Sequence, residues 1–553
     1  MYKRLFFLSV LTAFLALGSA AFAQTTVDLN DRLYTDLELW QGQGLIDRLP
    51  PLRPYPIQLV KKLLAEVVSR GSAADRRAAV AYLAHMDKLI NASIEPSALA
   101  RAAVGGGTTQ HFEQLGLIGT LQGTISPTVT YSAKLGAYAM NGPANSLLPL
   151  YQRPPEDVIY DGAVAPLGAS GLTPRISLES QTAFGSDSTY FQTGIMRDSF
   201  GPFYGDSIVL SPTAPQSGNL SFTWEEGLFT YTSLLLDISA TPNNGAGGLS
   251  PDKFLALHSL EFYPTSWLTL GIYESVVWGG RFEPLYLLPI PAVLFYAQGM
   301  VGFPDNSFIG LSGGVKLPAS LRANAMLYVD DASFNDLVKL HLNTMLVVAG
   351  QGGLSWTPNL PLLKRLSVNY TLVTPYTYSH QNQANDAPTY GPNFENYTNA
   401  GQNMATSLEP DSDRIEIDAL LRPLSFTDVT LFGRFIRHGN GSYGVPGLSS
   451  ANGNNGTIFD DGYAGGSATF APGYNLPAGM LYTRFLTQPV IEKTIQVGFD
   501  AKLYLNTPIG RVDAELAYTF EYVMNVVDAV SGNPQSGVNA TNNYVTVGAG
   551  ISF

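Results

Sequence analysis

The sequence predicts an all-β transmembrane antiparallel barrel of about eighteen strands, preceded by a small periplasmic α-helical module. Three observations carry that expectation. The chain opens on an export signal and then contains no run of eighteen apolar residues. Segments of strand length alternate apolar and polar residues from about residue 111 to the end. The connections between those segments alternate short and long.

Residues 1–23 read as a secretory signal, with Lys3 and Arg4 basic, Leu5 to Leu17 apolar, and Ala21-Phe22-Ala23 as the cleavage site. The chain has no cysteine, so it carries neither a lipid-modified Cys nor a disulfide. The formal net charge of −13 becomes −15 once Lys3 and Arg4 leave with the signal. That excess of acid argues against a nucleic-acid partner, whose phosphates call for clustered cations. Charged residues make up only 14% of the chain, well below a soluble domain's usual ~25%. Fifty-five glycines with 29 Tyr and 28 Phe suit the turns and aromatic girdles of a barrel.

Residues 24–100 form the helical module. Asp31 to Gln43 places Leu33, Leu37, Leu39 and Trp40 at helical spacing, and Leu49 to Pro56 then breaks the chain with prolines. Ile57 to Ser69 sets Ile57, Val60, Leu63, Leu64 and Val67 on one stripe. Ser72 to Asn91 makes a further helix, with Ala73, Val80, Leu83, Met86 and Leu89 expected inward. Such a module either plugs the barrel mouth or binds a partner, and the sequence leaves both open.

Residues 101–553 form the barrel. Its clearest segment is the last, where Ile495, Val497, Phe499, Ala501, Leu503 and Leu505 alternate with Gln496, Gly498, Asp500, Lys502 and Tyr504. After the turn at Pro508, Val512, Ala514, Leu516, Tyr518, Phe520 and Tyr522 alternate with Arg511, Asp513, Glu515, Thr519 and Glu521. A soluble sandwich alternates in the same way, and the export signal and loop rhythm favour the membrane. Seventeen such segments stand out between 113 and 553, one of them 365–379. A helical module and a C-terminal strand end on the same side require an even number, so Leu99 to Thr109 is taken as the eighteenth; sixteen is the alternative count. Short turns fall at 126–127, 185–188, 264–266, 318–319 and 422–424, and long loops at 141–174, 278–306, 380–411 and 439–490.

His258-Ser259-Leu260-Glu261-Phe262-Tyr263-Pro264 leads through Leu268-Thr269-Leu270-Gly271 to Trp278-Gly279-Gly280-Arg281, then to Asp305-Asn306 and Leu327-Tyr328-Val329-Asp330-Asp331. That order resembles the outer-membrane capsule assembly family Wzi. Arg32 to Pro56 is similar to the family's N-terminal segment, and Gly201-Pro202-Phe203 with Ser207 to Ser211 is similar to its Gly-Pro and Leu-rich stretch. The resemblance implies an eighteen-stranded barrel with a periplasmic helical bundle, acting as a surface lectin for capsular polysaccharide.

Candidate site residues fall in the long loops. Trp278, Arg281 and Glu283, with Phe282 and Tyr286, join aromatic faces to ionic groups, which suits sugar rings with apolar C–H faces and many hydroxyls. The stretch Pro284 to Phe295 alternatively folds into the barrel as a constriction. Asp305, Asn306, Asp330 and Asp331 offer oxygen ligands for Ca²⁺, or cap strand ends and turns. Tyr390 and Tyr397 make a second sugar-type surface. Gly310-Leu311-Ser312-Gly313-Gly314 matches a hydrolase elbow in letters but lies inside a strand, with His258 and His341 as its conceivable partners. No cofactor motif is present. The expected protein is therefore a non-catalytic outer-membrane barrel of a Gram-negative-type cell. Its expected partners are capsular or other extracellular polysaccharide, membrane lipid, and polysaccharide-export machinery at the periplasmic side. The alternative function is a diffusion porin or substrate channel.

Overall fold

The computed structural model describes residues 26–143, 146–151, 171–240, 252–290, 292–301, 305–332, 346–380, 395–441, 443, 456–458 and 484–553. The signal at 1–23, Tyr390 and His341 lie outside the described residues.

Among the described residues eighteen antiparallel strands close into one barrel. In chain order they are β1 Asn91–Gly105, β2 Thr108–Ser126, β3 Val129–Met140, β4 Thr173–Gly185, β5 Thr189–Met196 and β6 Ser217–Glu226. Then come β7 Phe229–Ser239, β8 Asp252–Thr265, β9 Leu268–Gly279, β10 Asn306–Leu317, β11 Leu321–Ala332 and β12 Leu346–Trp356. The last are β13 Leu363–Val373, β14 Ser412–Leu421, β15 Thr427–His438, β16 Glu492–Thr507, β17 Gly510–Met524 and β18 Asn539–Ser552. Closure runs between the ends of the series, with Ser97 opposite Gly550 and Gly105 opposite Asn542.

Alternation decides what each wall residue meets. Leu115, Leu117, Ile272, Leu311, Ile417, Val497 and Val547 point outward and are exposed. Gln181, Gln192, Thr223, Thr232, Gln496 and Glu521 point inward and are buried. A greasy exterior with a polar lining is stable only when lipid replaces water outside.

The first strand differs from its expected place. It begins at Asn91, not near 99, and turns at Gly106 and Gly107, so the expected segment 99–109 straddles a hairpin. Its outward residues include Ala98, Ala100, Ala102 and Pro96, too small or too rigid to make a strand pattern visible. The helical module accordingly ends before residue 91, short of the 100 set from the sequence.

Helix α1 spans Arg32–Gly42 behind an Asp31 cap, α2 spans Ile57–Arg70 after Pro56, and α3 spans Ala73–Met86 behind a Ser72–Asp75 capping box. They share a core of Leu33, Leu37, Trp40, Val60, Leu64 and Tyr82. The face of α3 is rotated from expectation: Ala79, Tyr82 and Met86 are buried, while Val80 and Leu89 are exposed. Tyr82 sets that rotation by donating to Asp36 at 2.8 Å and meeting Trp40 edge-on at 6.3 Å.

The module sits within the short-turn end of the barrel. Arg32 pairs with Asp428 at 3.1 Å, and Arg422 bridges Asp36 at 2.9 Å and Asp428 at 2.6 Å. Arg365 pairs with Glu38, Lys134 with Asp28, and the Pro54 carbonyl accepts from Gln181 and Gln192 of the wall. This placement seats the module in the barrel mouth.

At the other end, among the described residues, loops turn inward. Residues 197–216 descend until Ser199–Phe200 pairs as a short strand with Leu52–Arg53 of the module. Gly201 permits the meeting: its φ is +105°, and a Cβ there would lie 2.6 Å from the Met326 sulfur. The expected strand 365–379 stops at Val373, because Tyr376 and Tyr378 take positive φ (67° and 73°) and lead the chain into the lumen. Phe200, Ile208, Leu210, Tyr273, Phe308, Tyr328, Tyr378 and Tyr397 then form one buried core.

Candidate functional site

The sequence-selected residues divide between two faces of the wall at the long-loop end. On β9, Tyr273 and Val277 join the interior core while Val276 and Trp278 belong to a separate cluster outside. That outer cluster adds Ala256, Tyr286, Leu294 and Ala297, because a short 3-10 turn (Pro284–Leu287) and helix α4 (Val293–Val301) fold back over the outward face. The stretch near 284–295 is thus packed outside the barrel and constricts nothing. Its anchor is Glu274, an outward carboxylate that accepts from the Leu294 and Phe295 amides at 3.2 and 3.3 Å, as an acid at a helix start should. Trp278 has no exposed face, since Phe254 (5.3 Å) and Tyr286 (4.9 Å) cover it. It builds the site without offering a sugar platform.

Four of the selected residues are brought together beside it. Asp305 accepts from Arg281 at 2.5 Å and from the Tyr286 hydroxyl at 2.6 Å, and Gln298 donates to its carbonyl at 2.8 Å. Glu283 lies 3.9 Å from Arg281 and receives the Leu285 amide. Burial works against the Arg281 charge, but the Asp305 carboxylate outweighs it and holds the guanidinium above its ordinary pKa. Burial and the same carboxylate push the Tyr286 hydroxyl upward. Asn306 donates to the Glu395 carbonyl at 3.1 Å, tying this network to the neighbouring loop. The Arg281 side chain remains about a third exposed, and Phe282 and Tyr296 are exposed nearby.

Asp330 and Asp331 stand apart, on the end of β11. Asp330 receives the Tyr378 amide at 2.8 Å, and Asp331 resumes the ladder after a bulge. Asp330 caps the turn at Tyr378 in this arrangement. Among the described residues no group of three or more His, Asp or Glu is placed to hold a metal. Tyr397 is wholly buried, packed against Phe308 at 5.2 Å, Tyr378 at 5.6 Å and Tyr328 at 5.9 Å. It packs in the interior core instead of presenting a surface.

Ser312 faces the lumen, whereas His258 faces outward beside Glu274, so the wall separates the two residues of the hydrolase reading. Sequence reasoning missed Lys253, fully buried, whose ammonium donates to the Asn396 carbonyl (2.7 Å) and the Thr398 carbonyl and hydroxyl (2.5 and 3.1 Å). A cation in line with inward Leu255 and Leu257 was its signal. Asp206 was missed too; it accepts from Arg414, Thr406 and Ser211 and fixes the two inward loops together.

A closed eighteen-strand barrel with an apolar belt and a polar interior defines an outer-membrane β-barrel protein. The chain is similar in fold to the solved structure of Wzi from Escherichia coli, an outer-membrane protein involved in group 1 capsule assembly and a carbohydrate-binding β-barrel. The match has a TM-score of 0.54 at 13% identity and covers 96% of this chain and 99% of that one. Pseudomonas aeruginosa OccD3 (TM-score 0.41, 11% identity, 84% of this chain and 91% of that) and OpdL (0.42, 10%, 84% and 99%) also align. No family model matches the sequence, and no curated protein matches it by sequence.

Proposed function

We propose that this protein is a non-catalytic outer-membrane barrel that binds extracellular, capsular-type polysaccharide at its long-loop end and helps attach or assemble a surface coat. The observation that supports the reading is a meeting of two segments inside the barrel: Leu52–Arg53 from one end pairs with Ser199–Phe200 from the other. A barrel filled this way suits holding a ligand at its surface better than passing one through. Arg281 offers charge-assisted donors, and Phe282 and Tyr296 offer exposed rings, to a polymer whose repeated weak contacts add by multivalency. In this reading residues 1–23 are removed on export, and the helical module faces the periplasm, where export machinery can dock.

Retention of capsular polysaccharide on immobilised, detergent-folded protein tests the proposal. Binding that falls at least fivefold in Arg281→Ala agrees with it, and no retention of any extracellular polysaccharide ends it. A large, steady current in planar bilayers would replace it with the porin reading.

A further inference from the structure

Between the helical module and the wall lies a cavity of about 450 Å³ whose lining reaches the short turn at Thr265 and Ser266. Arg48, Arg53, Lys62, Lys316 and Arg322 line it, together with the carboxylates of Asp47, Glu66, Glu225 and Glu261. Arg53, 3% exposed, donates to the Gly201 and Phe203 carbonyls and the Ser199 hydroxyl, with its guanidinium 4.2 Å from the centre of the Tyr204 ring. Arg48 donates to the Gly227 carbonyl at 2.8 Å and lies over Tyr263. Lys316 donates to the Asp47 carbonyl at 2.6 Å, and Arg322 to the Asn324 amide oxygen at 3.0 Å. Every one of those acceptors is neutral.

The lining carboxylates are largely committed elsewhere. Asp47 pairs with Arg70 at 2.6 Å, Glu66 also lies by Arg70, and Glu225 takes Lys62 at 3.5 Å. Glu261 is left, held by the Tyr263 hydroxyl at 2.6 Å. Among the described residues Arg48, Arg53, Lys316 and Arg322 make no ion pair, although Asp47, Glu66 and Glu261 share the lining. Of the four only Arg53 is buried; a cation taken from water without a counter-charge is costly, and an arriving anion lowers that cost.

We propose that this cavity is a binding site for an anionic sugar entering from the short-turn side, its carboxylate or phosphate among Arg48, Arg53, Lys316 and Arg322. Asn324 and Ser312 in the same lining supply polar partners for its hydroxyls. The volume falls within the range of small-molecule sites. The site stands at the end of the barrel opposite the proposed polymer surface, and it holds whether or not the long loops bind polymer.

Calorimetry on the full chain in detergent, titrated with glucuronate, glucose 1-phosphate, glucose and inorganic phosphate, tests the site. Saturable binding of an anionic sugar, weakening as salt rises and absent for glucose, is the expected result; which anion binds identifies its source as a uronic acid or a glycosyl phosphate. Arg322→Gln and Lys316→Met should each weaken binding tenfold or more, with the heat-modifiable gel mobility of the folded barrel retained. Lys316→Met serves alone if Arg322→Gln does not fold. Absence of binding by both anionic sugars overturns the proposal, as does glucose binding equally well. Phosphate binding as tightly as glucose 1-phosphate would overturn the sugar part, and unchanged affinity in the variants would overturn the location.

Discussion

At the short-turn end the lumen holds helices whose charged side chains pair with the wall, as Arg32 does with Asp428 and Asp36 with Arg422. At the long-loop end it holds irregular loops whose rings pack on those of the wall, as Tyr397 does among Phe308, Tyr328 and Tyr378. The difference follows from what each segment brings. A capped helix satisfies its own backbone internally, so only its side chains have to dock. A loop carries unpaired amides and carbonyls inward, and these must find partners: Lys253 for the Asn396 and Thr398 carbonyls, Asp330 for the Tyr378 amide.

Truncating the aromatic core should have the largest effect. Tyr397→Ala removes a ring that touches three others and leaves a cavity in a close-packed region, a loss of about 3–5 kcal/mol. The expected outcome is a barrel that still resists detergent while residues 395–408 exchange amide hydrogens rapidly. Unchanged exchange there would show that the rings do not hold the loop.

Breaking the ionic clasp should come next. Burial opposes the Arg422 charge, but Asp36 and Asp428 outweigh it and hold the guanidinium above its ordinary pKa. Arg422→Ala leaves two mostly buried carboxylates with Arg32 alone, at a cost of about 3 kcal/mol. Limited proteolysis should then clip the chain between residues 42 and 91 without cutting the barrel. Equal protection in variant and parent would place the docking energy in the apolar contacts.

The same contrast decides how much was legible beforehand. Strands such as β16 and β17 were readable because lipid on one side and polar groups on the other impose a strict period of two. The helices α1 and α2 were readable from caps, prolines and apolar stripes. β1 was faint because most of its lipid-facing residues are alanines and a proline, which satisfy the bilayer without marking it. The site was harder. Arg281, Glu283, Asp305 and Asn306 do converge, but composition alone could not tell that Trp278 and Tyr397 are buried. Whether an aromatic in a loop faces water depends on where the loop folds, and partners such as Lys253 with Thr398 are distant in sequence.

A pH dependence sharpens the comparison, because it should appear at the long-loop end. Asp411 precedes β14, is fully buried, and accepts from the Leu486 amide at 2.7 Å and from Gln488 at 2.5 Å. Burial raises its pKa to about 7 from an ordinary 3.8, against the pull of those two donors. Between these values the folded loop holds a proton that the unfolded chain has released. Its contribution to stability is therefore fully present below about pH 4 and is lost as pH rises through 7. The protection factors of residues 484–488, corrected for the intrinsic exchange rate, should fall across that window, and Asp411→Asn should flatten the profile. A parent profile that is already flat would remove the carboxyl from the account.

The smallest effect belongs to the exposed pair Arg70–Asp47, on the solvent side of the short-turn plug. Its distance of 2.6 Å is as short as that of Arg422 to Asp428, yet its side chains are 44% and 63% exposed. The Asp47 carboxyl is held below its ordinary pKa chiefly by its hydrogen bond to Arg70, but water and salt screen an exposed pair so strongly that its net worth is under about 1 kcal/mol. Arg70→Ala should therefore leave the protease protection of the module unchanged at 0.15 M salt. If it released the module as Arg422→Ala is expected to, ion-pair length rather than burial would govern docking, and the contrast between the two ends would have to be rebuilt on geometry.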